Sequence, residues 1–269
     1  MGDLKADWLT SVENLLIDQD IQAEALIHEY FYLLLIGNGK LILNLVSLEQ
    51  DFVPEKFIVL QQHYQEKNIQ VIHLWQDVFL TKKTQVINRI KAILGLNKRI
   101  HGRSTSIEKI SKIDAAAFLN QYHLQGDVGA RYRYGLVYEN ELVAVATFSN
   151  KRKMNKMGAD YTSTELIRFA TKENFTVIGG LSKLLKHYVK AIAPNDVMSY
   201  ADRDWSIGKS YLSSGFKLKA ETSPAILYLD QETLQRYFTH RKPVQQQGGA
   251  INQYIEVFNT GNLKYVLVL

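Results

Sequence analysis

The chain of 269 residues contains no cysteine. That excludes a disulfide framework, a thiolate-ligated zinc site and a cysteine nucleophile. Proline is scarce, at four residues, and no low-complexity tract interrupts the chain, so an ordered globular protein is expected. No apolar run approaches the roughly 20 residues that cross a bilayer. The most apolar stretch, "FYLLLIGNGKLILNLV", is broken by "GNGK" and reads as a hairpin. The amino-terminal "MGDLKADWLT" is acidic and lacks the basic-then-apolar layout of a secretion signal. These absences lead to the expectation of a soluble, cytoplasmic protein with no membrane partner.

What is present is a hydrophobic content of 46%, enough for one large core or two smaller ones. Charge is unevenly placed. Residues 1–100 carry 10 Lys/Arg and 12 Asp/Glu, whereas residues 101–269 carry 22 and 15. A basic carboxy-terminal portion is compatible with DNA or another phosphate-bearing partner, and equally with a solvated lysine-rich surface.

The pattern of elements divides the chain at residues 97/98. Residues 1–97 read as a helix near 4–17, a hairpin turning at Gly37-Asn38-Gly39, a helix over Pro54–Lys67, the strand "IQVIHLW" and a helix stopping at Gly95. "LNKRIHGRS" reads as the junction. Residues 98–269 read as a strand and a helix entered at Asp114, then a hairpin turning at Glu139-Asn140 and an exposed basic loop "KRKMNKMGAD". The strand "STELIRFAT" is followed by an amphipathic helix to Ala193, the strand "VMSYAD" and a short helix ending at Gly215. Two further strands, a helix "QETLQRYFTHR" and a closing hairpin at Thr260-Gly261 complete the chain. Hairpins mixed with helical crossovers imply α/β architecture with mixed sheets.

Four features carry candidate chemistry. In "NFTVIGGLSKLLKHYVK", Gly179, Gly180 and Ser182 stand before a helix with an apolar stripe. Backbone N–H groups there can face a phosphate, or the residues can simply cap the helix. "SYADRDWSIGKSYLSSGF" places Asp202 at the end of a strand, where α/β sheets hold ligands, with Trp205 and Tyr211 following. Asp202 suits a base or an orienting carboxylate and Tyr211 a general acid; helix capping and core packing are the structural alternatives. Arg168, inside an apolar strand, requires an ion partner or a ligand. His123, where a helix meets a loop, is either an ordinary loop residue or a catalyst.

The order of strand with Arg168, glycine loop, helix, "SYAD" and "WSIGKSYLSSGF" resembles the GNAT acyltransferase fold. The resemblance implies that Val177, Gly179, Gly180 and Ser182 cradle the phosphates of acyl-CoA or a related donor. The usual Q/R-x-x-G-x-G/A signature is replaced here by "NFTVIGG". Arg168, Ser182, Asp202 and Tyr211, spaced by 14, 20 and 9 residues, also resemble the phage Mom group of DNA-adenine modification enzymes. That resemblance implies these four as catalytic residues. It also implies an exocyclic base amine as acceptor. On a transferase reading of that kind, His123, Trp205, Lys151, Arg152 and Lys153 are candidates for binding substrate, Lys156 for tracking the backbone, and Trp205, Tyr132 and Tyr134 for assisting base flipping.

The linear pattern of the whole chain is similar to homing endonucleases in which a Vsr-like PD-(D/E)XK unit precedes a GNAT-like half. Such a nuclease holds Mg²⁺ between carboxylates on its hairpin strands. Here Asn44 stands where the glutamate falls, and Glu29 is the one acid near the first strand. The implication is a degenerate nuclease domain over residues 1–97, a GNAT-like domain over 98–269 and no metal-ligand set. Two functional expectations follow: a GNAT-like transferase modifying an amine, or a non-catalytic DNA-binding protein of homing-endonuclease ancestry. An active nuclease is a third, disfavoured by the missing carboxylates.

Overall fold

The computed structural model describes residues 2–49, 52–241 and 253–269. The chain opens with helix α1 (Gly2–Ile17), strands β1 (Ala23–Leu26), β2 (Tyr32–Ile36) and β3 (Leu41–Val46), helix α2 (Pro54–Glu66), strand β4 (Gln70–Trp75) and helix α3 (Gln76–Thr81). β1, β2 and β3 pair antiparallel, and β4 runs parallel to β3. The β2–β3 turn holds Gly37, Asn38 and Gly39 at φ of 62°, 56° and 81°, a left-handed run that glycine and asparagine tolerate best. The parallel step needs a crossover helix, and α2 supplies it, entered with proline in its first turn. β3 and β4 are buried along their whole length, so they lack hydrophobic alternation.

The middle of the chain begins with helix α4 (Lys83–Leu94) and strand β5 (Lys98–His101). A 3-10 turn over Gly102–Ser104 leads to strand β6 (Ser106–Lys109) and helix α5 (Lys112–Tyr122). Strands β7 (Tyr132–Tyr138), β8 (Glu141–Phe148), β9 (Arg152–Lys153), β10 (Thr162–Thr171) and β11 (Phe175–Ile178) precede helix α6 (Gly180–Ile192). Strand β12 (Asp196–Asp202), helix α7 (Lys209–Ser213) and strand β13 (Lys217–Glu221) follow. The last strands are β14 (Ala225–Asp230), β15 (Arg236–Phe238), β16 (Tyr254–Asn259) and β17 (Asn262–Val268).

Two compact units emerge, and they interleave in sequence. One takes residues 1–83, 202–207 and 221–262; the other takes 84–201, 208–220 and 263–269. The sequence reading divides the chain once, at 97/98. Contacts divide it repeatedly; the last division falls between β16 and β17, which are consecutive in sequence but join different sheets. β16 pairs with β14 in a three-stranded β15-β14-β16 sheet, whose Leu227, Leu229, Val257 and Phe258 share a core with Phe57, Leu60 and Trp75.

The second unit is built on the sheet β13-β17-β12-β10-β8-β7-β6, with β9 paired to β10. Its two faces are covered by different helices. Leu181, Leu184, Leu185 and Tyr188 of α6 lie in one core cluster with Ala146 and Phe148, and the Phe148 and Tyr188 rings stack at 4.0 Å. Ala115, Phe118 and Leu119 of α5 cluster with Val145 and Ala170 on the other face. Each fully buried leucine in these stripes contributes about 2–3 kcal/mol through area removed from water. Helix α5 starts at Lys112, not at Asp114, because Ser111 is its N-cap and accepts from the Asp114 N–H at 3.1 Å. Ser111→Ala is expected to cost about 1 kcal/mol in urea unfolding; no change would show that water caps this helix equally well.

Two further expectations are corrected. The segment 231–241 is not an α-helix; only its last residues, Thr239–Arg241, form a 3-10 turn. Asp230 Oδ1 accepts from the N–H groups of Glu232 and Thr233, Leu234 takes φ 54°, and residues 236–238 pair with β14. The chain also does not close on a hairpin at Thr260-Gly261, since β16 and β17 do not pair with each other. Among the described residues, no helix is long and apolar enough to cross a membrane.

Candidate functional site

The second unit contains a fork in its main sheet. β10 and β12 run parallel and pair only at Ser163–Glu165 against Asp196–Met198. Beyond that point β10 stays with β8 through a register shift between Leu166 and Arg168, while no further β10–β12 pairing forms. Strands that part in this way present main-chain donors and acceptors to whatever enters between them. α6 follows β10 and precedes the parallel β12, so its N-terminus lies at the end of the sheet where the fork opens.

Gly179 and Gly180 stand at that N-terminus for different reasons. Gly179 is the N-cap residue, at φ 72°, and a Cβ built on it meets nothing within 4 Å. Free space therefore lies beside Gly179, at the helix end whose first N–H groups have no partner inside the helix and favour an anion. Gly180 instead answers to packing, because a Cβ there would lie 2.8 Å from Val177 Cγ1 and 3.0 Å from Leu136 Cδ1. Val177 is buried and paired with Ile100 in the β5–β11 ladder. Ser182 does not cap the helix; its hydroxyl donates to Ser214 Oγ at 3.0 Å.

Tyr211 meets Ser199, whose Oγ is 2.8 Å from the Leu166 carbonyl and 3.0 Å from the Tyr211 hydroxyl. A serine has one proton and a carbonyl can only accept, so Ser199 donates to Leu166 and Tyr211 donates to Ser199. Burial raises the Tyr211 pKa above 10.0, against the pull of the Arg89 and Arg168 charges, and Glu165 raises it further. Tyr211 thus holds its proton at neutral pH, as an acid and not a base. The Tyr265 ring, stacked at 5.2 Å and 20°, fixes its plane.

Arg168 sits just past the β-bulge of β10, with Nε donating to the Gly126 carbonyl at 3.1 Å and Nη1 to its neighbour Ile167 at 3.0 Å. Arg168, Val177, Gly179, Gly180, Ser182 and Tyr211 therefore belong to one unit. Asp202 and Trp205 are grouped with the other. There Asp202 Oδ1 accepts from the Asp204 N–H at 3.0 Å and its carbonyl accepts from Trp205 and Ser206, the bonding of a tight turn. Trp205 is buried at 7% exposure, which leaves no face for a base to stack upon.

His123 ends α5, and its Nδ1 accepts from the Gln125 N–H. Tyr132 and Tyr134 pack around the Tyr188 ring. Lys151, Arg152, Lys153 and Lys156 are all exposed, on a hairpin closed by the Met154 N–H to Tyr161 carbonyl bond.

Sequence reasoning missed two contributors. Ser199 is a polar residue in the inward register of Val197 and Ala201, a visible signal in "VMSYA". Lys183, in the first turn of α6, donates to the carbonyls of Gly102 and Thr105 and holds the 3-10 turn against the helix start. Gly102 permits that approach, since a Cβ would lie 3.1 Å from the Ile178 carbonyl. In the other unit, Asn44 is buried and its Nδ2 lies 3.1 Å from His73 Nδ1, while Glu29 is exposed ahead of β2. Among the described residues, no group of three or more His, Asp or Glu side chains is placed to hold a metal.

Comparison with known proteins gives distant structural matches alone. No family model and no curated protein matches the chain. Among solved structures, a GNAT family acetyltransferase from Elizabethkingia anophelis with acetyl-CoA bound matches 62% of this chain and 99% of its own, at 15% identity and a TM-score of 0.37. A Bacillus subtilis acetyltransferase in complex with CoA matches 61% of this chain and 99% of its own, at 15% identity and 0.40. IAA acetyltransferase from Bacillus cereus matches 62% and 100%, at 14% identity and 0.38. Likeness at this level assigns neither ligand nor substrate, so function is read from the chain's own residues.

Proposed function

We propose that this chain transfers an acyl group from a coenzyme A thioester to an amine. The supporting observation is the β10–β12 fork, with the open Gly179 cradle at the helix N-terminus beside it and the Tyr211 hydroxyl bonded through Ser199 to Leu166 at its base. The cradle fits a phosphate-bearing donor, because a Cβ at Gly179 would occupy free space and α6 offers its N–H groups there. In the reaction the amine lone pair forms the C–N bond as the C–S bond breaks. Tyr211 gives its proton to the departing sulfur and takes one back from the amine, so the hydroxyl is restored. Asp202 and Trp205 take no part in this proposal.

Calorimetric titration with CoA tests the donor, with binding expected for the wild type. Tyr211→Phe is expected to lower acyl-transfer kcat by about 10–100-fold while CoA affinity stays within about threefold. Wild-type turnover in Tyr211→Phe removes Tyr211 from the chemistry, and failure of the native protein to bind CoA removes the transferase reading.

A second reading is favoured by the exposed basic hairpin: a non-catalytic protein binding DNA through Lys151, Arg152, Lys153 and Lys156. It predicts a salt-sensitive gel shift with duplex DNA and no CoA binding. Both properties together would support a DNA base amine as acceptor.

A further inference from the structure

On the α5 face of the main sheet, three residues stand in one cross-strand row: Arg133 of β7, Thr147 of β8 and Arg168 of β10. The side is set by alternation. The row two residues along, Gly135, Val145 and Ala170, contains the Val145 and Ala170 that α5 packs against, whereas Tyr134, Ala146 and Phe169 between them belong to the α6 core. Neighbouring strands are roughly 4.8 Å apart, so the two arginines start about 10 Å apart and their side chains can reach a common point.

The central residue of the row is anomalous. Thr147 is 0% exposed, and its hydroxyl has no hydrogen-bond partner among the described residues. Buried hydroxyls are almost always satisfied, and an unsatisfied one weakens a fold. Two like charges flank it in register. Arg133 Nη2 donates to the Ala130 carbonyl, and Arg133 forms no ion pair among the described residues. Arg168 donates to the carbonyls of Gly126 and Ile167. Gly126 and Ala130 lie in one loop, between α5 and β7, which leaves both guanidinium groups beside the same segment.

We infer that this row is the acceptor subsite, and that the acceptor is an amine carrying an oxyanion, a carboxylate or a phosphate, held by Arg133 and Arg168 above Thr147. One bound oxyanion offsets the two like charges and offers the acceptor that planar guanidinium groups and a hydroxyl require. The inference rests on the acyltransferase reading for its role. Donor phosphates would lie at the α6 N-terminus on one face of the sheet, and the amine would approach the fork from the α5 face. The β-bulge beside Arg168 puts the row at the level where β10 and β12 part.

The test titrates inorganic sulfate, glycine and a thymidine trinucleotide into the wild type, Arg133→Gln and Thr147→Val, with CoA titrated separately into each. Sulfate is expected to bind the wild type and to weaken at least about tenfold in Arg133→Gln, with CoA affinity unchanged. Glycine or the trinucleotide, whichever shows the same Arg133 dependence, identifies a carboxylate or a phosphodiester as the natural oxyanion. Thr147→Val is expected to melt no lower than the wild type without ligand, yet to bind sulfate more weakly. Equal sulfate affinity in all three proteins overturns the inference, whether or not CoA binds. An Arg133-dependent sulfate site without CoA binding upholds the oxyanion site and removes the transferase reading instead.

Discussion

Replacing Gly208 with alanine is expected to lower the unfolding free energy by about 3–5 kcal/mol, a large share of a typical domain's stability. Gly208 sits at φ 74° ahead of α7, and a Cβ on it would lie 2.0 Å from the Tyr265 hydroxyl and 2.2 Å from its Cζ. Tyr265 is 2% exposed and stacks on Tyr211, so it cannot move without opening the core and displacing the proposed acid. The control is Gly179→Ala. Gly179 has nearly the same φ, 72°, yet its Cβ meets nothing within 4 Å, so only the backbone penalty of about 1 kcal/mol applies. Urea unfolding of the two variants separates collision from strain. Equal losses would mean that Tyr265 rotates aside freely and that the packing account is wrong.

The parts of the fold legible in the sequence are those whose cause is local. The Leu181, Leu184, Leu185 and Tyr188 stripe of α6, the Gly37–Gly39 turn and the left-handed Glu139-Asn140 turn declare themselves by periodicity or backbone need. Where pairing between distant segments decides, local reading fails. "QETLQRYFTHR" carries helical spacing in Leu234, Tyr237 and Phe238, but the Asp230 turn and pairing with β14 prevail. β5 lies in what reads as a junction, and its parallel partner β11 is 77 residues further on, at Phe175 opposite Lys98. β16 and β17 look like a hairpin because nothing in "FNTGNLKY" says that they enter different sheets.

The site follows the same division. A glycine pair before an amphipathic helix is readable, but only coordinates show that Gly179 faces open space while Gly180 is demanded by Val177 and Leu136. Tyr211 is readable as an acid, whereas Ser199, which orients its proton, depends on β12 register. Asp202 has the right position at a strand end, but its carboxylate is engaged by the Asp204 N–H. The Arg133–Thr147–Arg168 row spans three strands and 35 residues of sequence, so no spacing rule could reveal it.

In the first unit two buried groups are expected to hide each other's pH dependence. Burial lowers the His73 pKa from 6.5 to about 3, with the Arg203 charge adding to the effect and the Phe57 carbonyl partly offsetting it. The imidazole is neutral in the fold and its Nδ1 lies 3.1 Å from Asn44 Nδ2, so its contribution is present above pH 6.5 and is lost as pH falls toward 3. Burial, aided by the Asp202 charge, raises the Asp204 pKa from 3.8 to about 7, against hydrogen bonds from the Thr260 N–H and hydroxyl. Its contribution is full below pH 3.8 and is lost as pH rises through 7. Between pH 6.5 and 3.8 the unfolded chain gains a proton at His73 while the folded chain gains one at Asp204, and the slopes of about 1.4 kcal/mol per pH unit cancel. Asp204→Asn leaves His73 unopposed, so the variant should lose roughly 3–4 kcal/mol relative to the wild type between pH 6.5 and 4. His73→Gln leaves Asp204 unopposed and should gain a similar amount over the same range. Urea unfolding at half-unit pH intervals reads both differences directly. Parallel stability curves for all three proteins would show that neither group titrates abnormally in the fold.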